Sequence, residues 1–227
     1  MKTITLVFVA IFAVVSCSED YCYKDTVRAC KPTTNKQLVA LPNCNAKYGS
    51  IDGLQSDLQR FANHHFLRSF DLLLMSTHYG NYEKNRVGFE KLFRKISDSL
   101  WHEGIELIKY ITKRGGDMDF NNVNTEIKEE SSTPNWELYE IESLAKALDI
   151  EKNLAKEAFQ IHQQATRIKV ENHDPEVASY LEEEFMHEQR DVIRQLSGYT
   201  TDLSTLLDGP DSSLALYLFD EHLQKEI

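Results

Sequence analysis

Residues 136–166 read WELYEIESLAKALDIEKNLAKEAFQIHQQAT, a stretch with neither Gly nor Pro. Its apolar residues Leu138, Ile141, Leu144, Leu148, Ala155 and Ala158 recur every three or four positions, which predicts one amphipathic helix. At ~1.5 Å per residue that helix would run roughly 45 Å, the full length of a helical bundle. Glu151 falls three residues after Leu148 and four before Ala155, so its carboxylate shares the apolar face. Either it sits at the edge of the stripe, or it is buried with a partner, because a lone buried carboxylate is costly.

On both sides the same pattern repeats. Ser50 is placed to cap a helix carrying Leu54, Leu58, Phe61, Ala62, Phe66, Phe70 and Leu73 to about Tyr79. After a Gly80-Asn81 turn, a second helix is expected from about Glu83 to Lys113, with Phe89, Leu92, Phe93, Ile96, Leu100, Leu107 and Ile111 inward. Arg114-Gly115-Gly116 ends it. The polar stretch Asp117–Asn135 follows, and a loop that long needs a reason. A crossover along the whole bundle supplies one. Asp174-Pro175 then opens a fourth helix expected to reach Ser197, with Val177, Leu181, Phe185, Val192 and Leu196 inward. A shorter helix after Asp211 carries Leu214, Tyr217, Leu218 and Phe219. The pattern predicts an all-α four-helix bundle with one long crossover and a short fifth helix. With 41% hydrophobic residues in 227, residues 50–227 can bury one core.

The N-terminal residues belong to a different class. Lys2 followed by the apolar run Ile4–Val15 and the small residues Ser16 and Ser18 is the pattern of a secretory signal peptide, residues 1–18. The run is too short for a comfortable membrane span, and no later stretch is long and uncharged enough. The expected location is the secretory pathway (ER and Golgi) and the extracellular space. Cys17, Cys22, Cys30 and Cys44 cluster before the bundle, in an extension over residues 19–49. In an oxidising compartment this implies disulfides; no His neighbour or CxxC spacing supports zinc. Removal of Cys17 with the leader leaves three cysteines, hence three possible pairings. A Cys30–Cys44 loop with Cys22 left to bond another subunit is the expectation here. The formal net charge of -11 argues against nucleic acid as a partner.

Four polar residues intrude on the inner stripes: Gln59, Glu103, Glu151 and Gln189, one per helix. Two amides and two carboxylates could form a buried hydrogen-bond network that fixes register, or a weak site for a hard cation. An Glu-x-x-His occurs at Glu184 and His187, but Phe185 takes the core there and the pair flanks it as surface decoration.

Over about residues 50–225 the chain resembles the ferritins. The carriers are Leu148-Asp149-Ile150-Glu151-Lys152-Asn153, Glu188-Gln189, the Arg114-Gly115-Gly116 helix end, and Leu214 through His222. With its leader and cysteines it is similar to the secreted insect type, in particular their light chains. The resemblance implies a 24-subunit iron-storage shell in which iron is held as ferric mineral. It also implies that the iron-oxidising centre of heavy chains is largely lost: Gln59, Phe66, Leu100 and Glu103 stand where its first-helix glutamate, tyrosine and Glu-x-x-His belong. Glu151 and Gln189 match and would leave, with Glu103, a vestigial inner metal site. Of the mineral-seeding residues of light chains only Asp98 matches, beside Ser99, His102 and Ile105. His162 and Glu182 match residues of the threefold channels, with Ser179 replacing an aspartate. Leu214, Leu218 and His222 match the helix that packs around the fourfold axis. The expected role is therefore a non-catalytic light-type subunit, co-assembled with a ferroxidase-active heavy-type subunit, with no catalytic cofactor. A weakly oxidising di-iron subunit and a secreted helical signalling protein are the alternatives. The last needs no packing helix and would run as a monomer.

Overall fold

A computed structural model describes residues 22–29, 41–120, 139–167 and 173–227. The expected leader, Cys17, Cys30, Trp136, Leu138 and most of the crossover lie outside the described residues. The described residues up to Asn45 form one compact unit and those from Ala46 a second.

In the first unit, helix α1 (Cys22–Ala29) carries Cys22, which is disulfide-bonded to Cys44. The Asn43 amide donates to the Asp25 carboxylate at 3.0 Å, holding the strand of chain that brings Cys44 to Cys22. This corrects the expected pairing: Cys44 closes a loop with Cys22 rather than Cys30. Sequence spacing could not decide among three cysteines whose candidate loops cost similar closure entropy. Cys22 is therefore not a free thiol for another subunit.

The second unit contains α2 (Ile51–Tyr79), α3 (Val87–Lys113), α4 (Glu140–Ala165), α5 (Pro175–Leu181), α6 (His187–Leu207) and α7 (Ser212–Glu226). A π-helical turn, Glu182–Met186, joins α5 to α6 in one continuous rod. Hydrogen bonds fix the topology. Gln55, near the start of α2, bonds Asp117, just past the end of α3, so these two helices run antiparallel. Tyr79, at the end of α2, bonds Ser143 at the start of α4 at 2.7 Å. Helix α4 therefore starts beside the start of α3 and runs parallel to it, which requires the crossover. At the opposite end Arg114 grips Asp174, returning α5 and α6 antiparallel to α4.

The core is the expected one in α3 and the first half of α2, with Leu54, Leu58, Phe61, Phe89, Phe93 and Leu107 all fully buried. Farther along α2 the expected stripe is corrected: Phe70 is exposed, Phe66 and Leu73 are part-buried, and Leu72, Met75 and Tyr79 take the interior. In α4 the buried face is rotated from the expected stripe. Leu144, Ala147, Ile150, Glu151, Leu154, Ala158, Ile161 and Ala165 are buried, while Ile141 and Leu148 are only part-buried against the core. Glu151 is central to this face, not at its edge.

Boundaries differ for local reasons. Helix α3 starts at Val87 because Asn81 first folds the chain, its side chain accepting from the Glu83 and Lys84 amides, and Asn85 adopts φ 49°. Ser50 does not cap α2 with its side chain; its hydroxyl bonds the His173 carbonyl instead. Helix α6 passes through Ser197-Gly198 to Leu207, because Tyr199 and Leu203 keep the buried spacing. Gly115, at φ 80°, lets the Gly116 amide reach back to the Ile111 carbonyl at 2.9 Å, the closing bond of a Schellman end.

Candidate functional site

Three of the four expected inner polar residues converge. Glu103 of α3, Glu151 of α4 and Gln189 of α6 line one cavity of about 120 Å³, walled by Leu92, Ile96, Leu100 and Val192. Gln59 does not join them. It lies near the bundle end, where its amide donates to the Asp117 carbonyl. The residue of α2 that meets Glu103 is His65, which sequence reasoning missed. It is fully buried, with Nε2 3.3 Å from the Glu103 carboxylate. Its signal was present: His65 follows Phe61 by four and precedes Leu72 by seven, which is the spacing of the buried face of α2. Phe66, expected beside the inner site, instead packs edge-on against Trp101, over Gly104.

His65 is tightly oriented. Its Nδ1 lies 2.7 Å from the Phe61 carbonyl, which can only accept, so Nδ1 carries a hydrogen and Nε2 faces Glu103. Phe61 and Phe185 flank the ring edge-on. Phe185 is brought there by the π-helical turn, which turns Glu182, Glu183 and Glu184 to solvent while Phe185 stays buried. On the far wall Glu103 also accepts from the Ser99 hydroxyl at 3.0 Å. Glu151 is 2% exposed. Burial, and then the nearby Glu103 charge, push its carboxyl up to about 8, so it holds a proton at neutral pH. Leu100, 1% exposed, presents only carbon to the cavity. Among the described residues, no three His, Cys, Asp or Glu side chains are grouped to hold a metal ion.

Two other expected sites are brought together or exposed. His162 Nε2 lies 2.6 Å from Glu182 Oε1, joining α4 to the π-helical turn, and Ser179 donates to Glu183 at 3.2 Å. In α7, Ala215, Phe219 and Leu223 face the bundle, while Leu214, Leu218 and His222 line the exposed side. The buried Asp220 carboxylate anchors this helix, accepting from the Gly88 and Phe89 amides at 2.9 and 3.1 Å. Asp98 and His102 lie exposed on α3. Glu184 and His187 are both exposed, as expected of a pair that flanks the core.

A third polar cluster ends the bundle. Arg114 is buried and bonds Asp174, Glu176, the Tyr110 hydroxyl and the Tyr48 carbonyl. The same Asp174 carboxylate caps α5 at the Val177 amide and takes the Ser50 amide. It holds α5 in register with α2 and α3. Tyr110 stacks on Tyr180 at 3.7 Å, and burial raises both phenols.

Long antiparallel and parallel helices joined by one crossover, with a polar cluster inside and a short docked fifth helix, define a ferritin-like bundle. Residues 56–206 match the ferritin family, described as a ferritin-like domain. A ferritin light chain of Trichoplusia ni is 45% identical, with all of both chains aligned. A ferritin light chain of Drosophila melanogaster is 41% identical over 92% of this chain and 91% of its own. The crystal structure of Trichoplusia ni secreted ferritin superposes with a TM-score of 0.82 at 44% identity, covering 92% of this chain and all of that one. The chain belongs to the ferritin family of iron-storage proteins. The signalling alternative gives way to this finding. Among the described residues no helix is long and apolar enough to cross a membrane.

Proposed function

We propose that this chain is the light-type, non-catalytic subunit of a secreted ferritin shell. It would store iron as ferric mineral together with a ferroxidase-active heavy-type subunit, in the 24-subunit architecture of the family. Iron is cargo on this reading, and no catalytic cofactor is required. The observation that carries it is the inner cluster. Leu100 gives a carbon wall where the family resemblance implies a carboxylate ligand, so this chain would offer two metals one anionic ligand fewer at the inner cluster. His65 and Glu103 meet each other across the remaining space. The secretory location is supported by the N-terminal leader pattern and by the secreted relative from Trichoplusia ni.

Assembly is supported by α7. An exposed Leu214, Leu218 and His222 stripe on a helix already docked by its other face suits packing against copies of itself around an axis. Glu182 with His162 suits a cation-lined threefold channel. A slowly oxidising di-iron subunit is the second reading, favoured only by the nitrogen ligand His65 beside Glu103 and Glu151. Purification of the native assembly with subunit and iron analysis tests the proposal. The expected result is a particle of hundreds of kilodaltons holding iron and two kinds of chain. A homogeneous monomer, or a shell of this chain alone, overturns it.

A further inference from the structure

The cavity beside Glu151 is mostly walled by carbon, yet it ends in polar groups. Its volume of about 120 Å³ is near that of an engineered apolar cavity of roughly 150 Å³ that takes up benzene. By that scale it has room for about five heavy atoms. Gln189, 3% exposed, has neither Oε1 nor Nε2 in a hydrogen bond. A buried amide left that way is unfavourable by the desolvation of both atoms. Glu103, Glu151 and Glu188 border the cavity, against one amine, Lys95.

These features discriminate among occupants. A carboxylate or phosphate would face three carboxyl groups. A purely apolar molecule would fill the walls but leave Gln189 unpaired. A bare divalent cation would leave Leu92, Ile96, Leu100 and Val192 against water, and among the described residues the bordering carboxyl groups are not grouped closely enough to hold one. A small organic cation satisfies both ends. We propose that this cavity is a binding site for a short primary alkylammonium ion. Its head donates to Glu151 and to Gln189 Oε1, and its aliphatic body lies against Ile96, Leu100 and Val192. The three N–H donors of the ammonium match the acceptors available there. The body matches about four carbons of wall. The cavity is the same inner cluster, so the proposal rests on the light-type reading, in which iron does not occupy it; the titration uses iron-free shells, so its failure leaves the iron-oxidation test of that reading untouched.

The test is calorimetric titration of iron-free shells containing this chain with n-butylammonium chloride. Methylammonium, 1-butanol and butyrate serve as probes that lack, in turn, the body, the charge and the sign of charge. The expected result is saturable binding of one n-butylammonium per copy of this chain, at least tenfold tighter than each of the other three. Leu100→Trp fills the cavity and Gln189→Leu removes the amide; each should weaken binding at least tenfold. Arg190→Ala, on the exposed face, should leave it unchanged. Equal binding of methylammonium would locate the interaction at rim carboxylates alone and overturn the proposal. Equal binding of 1-butanol would reduce the cavity to an apolar hole and overturn it equally. So would the absence of saturable heat up to roughly 10 mM. The comparison of the four probes on wild-type shells decides the matter if a variant fails to assemble.

Discussion

Replacing Glu151 with Gln should make the shell's stability less sensitive to pH, and the structure fixes both the sign and the window. The carboxyl is pushed up to about 8 from its ordinary 4.5 by burial and then by Glu103. Below about pH 4.5 the group is protonated in both folded and unfolded chains and contributes no pH dependence. Between about 4.5 and about 8 the unfolded chain has released a proton that the folded chain keeps, so stability falls as pH rises. Above about 8 both states are ionised and the loss is complete. The span is 8 − 4.5, or 3.5. At ~1.4 kcal/mol per unit, this amounts to at most about 5 kcal/mol per subunit. Gln keeps the shape and hydrogen-bonding capacity without the charge. Thermal unfolding of iron-free wild-type and Glu151→Gln shells, run side by side, cancels the titration of groups that do not interact with Glu151. The melting difference in favour of the variant should widen from about pH 5 to about pH 8 and then level off. The infrared band of a protonated carboxyl, present in wild type near neutral pH, should be missing from the variant. A difference that stays constant across this range, or narrows with rising pH, refutes the reasoning.

Three further outcomes follow from other parts of the fold. Glu182→Ala should slow iron uptake by mixed shells while leaving their assembly unchanged, measured as the rate of mineral absorbance; unchanged uptake would return Glu182–Glu184 to a solvated helix face. Arg114→Met leaves Asp174 buried with its Arg114 partner gone; both side chains are 3% exposed, so denaturant unfolding should show a loss of roughly 3–5 kcal/mol. Gly88→Ala would place a Cβ 2.2 Å from the Asp220 carbonyl oxygen, so α7 must shift. Hydrogen exchange over residues 212–226 should then accelerate strongly relative to the rest of the bundle.

Much of the fold was legible because the buried positions keep a helical period and the breaks carry clear chemistry. Asp174-Pro175 and Asp211 cap their helices as their residue types demand, with side chains accepting from Val177 and Leu214. The lapses have physical causes. The expected α4 stripe includes Ile141, Leu148 and Ala155, whereas smaller or polar residues, Ala147 and Glu151, take the interior; hydrophobicity alone misjudges a face whose core includes a carboxyl. The π-helical turn leaves the 3.6-residue period only for a few positions, and hydrophobic spacing is too coarse to register it. His65 was hidden because an imidazole is neither apolar nor acidic and its role appears only when Glu103 faces it. Gln59 shares its place in the helical period with interior residues, but it lies at the bundle end, and a period carries no information about depth along the axis. Disulfide connectivity was never in the spacing.

Ferrous iron oxidation by shells assembled from this chain alone is the most direct measurement of whether it is non-catalytic. Stopped-flow absorbance after mixing with ferrous iron in air should show no saturable rapid phase, only the rate of the buffer. The variant carrying His65→Glu, Leu100→Glu and Glu103→His, which supplies the shared carboxylate and the nitrogen ligand, should gain such a phase. A rapid, saturable phase in the wild-type chain that disappears in Glu151→Ala would contradict the account.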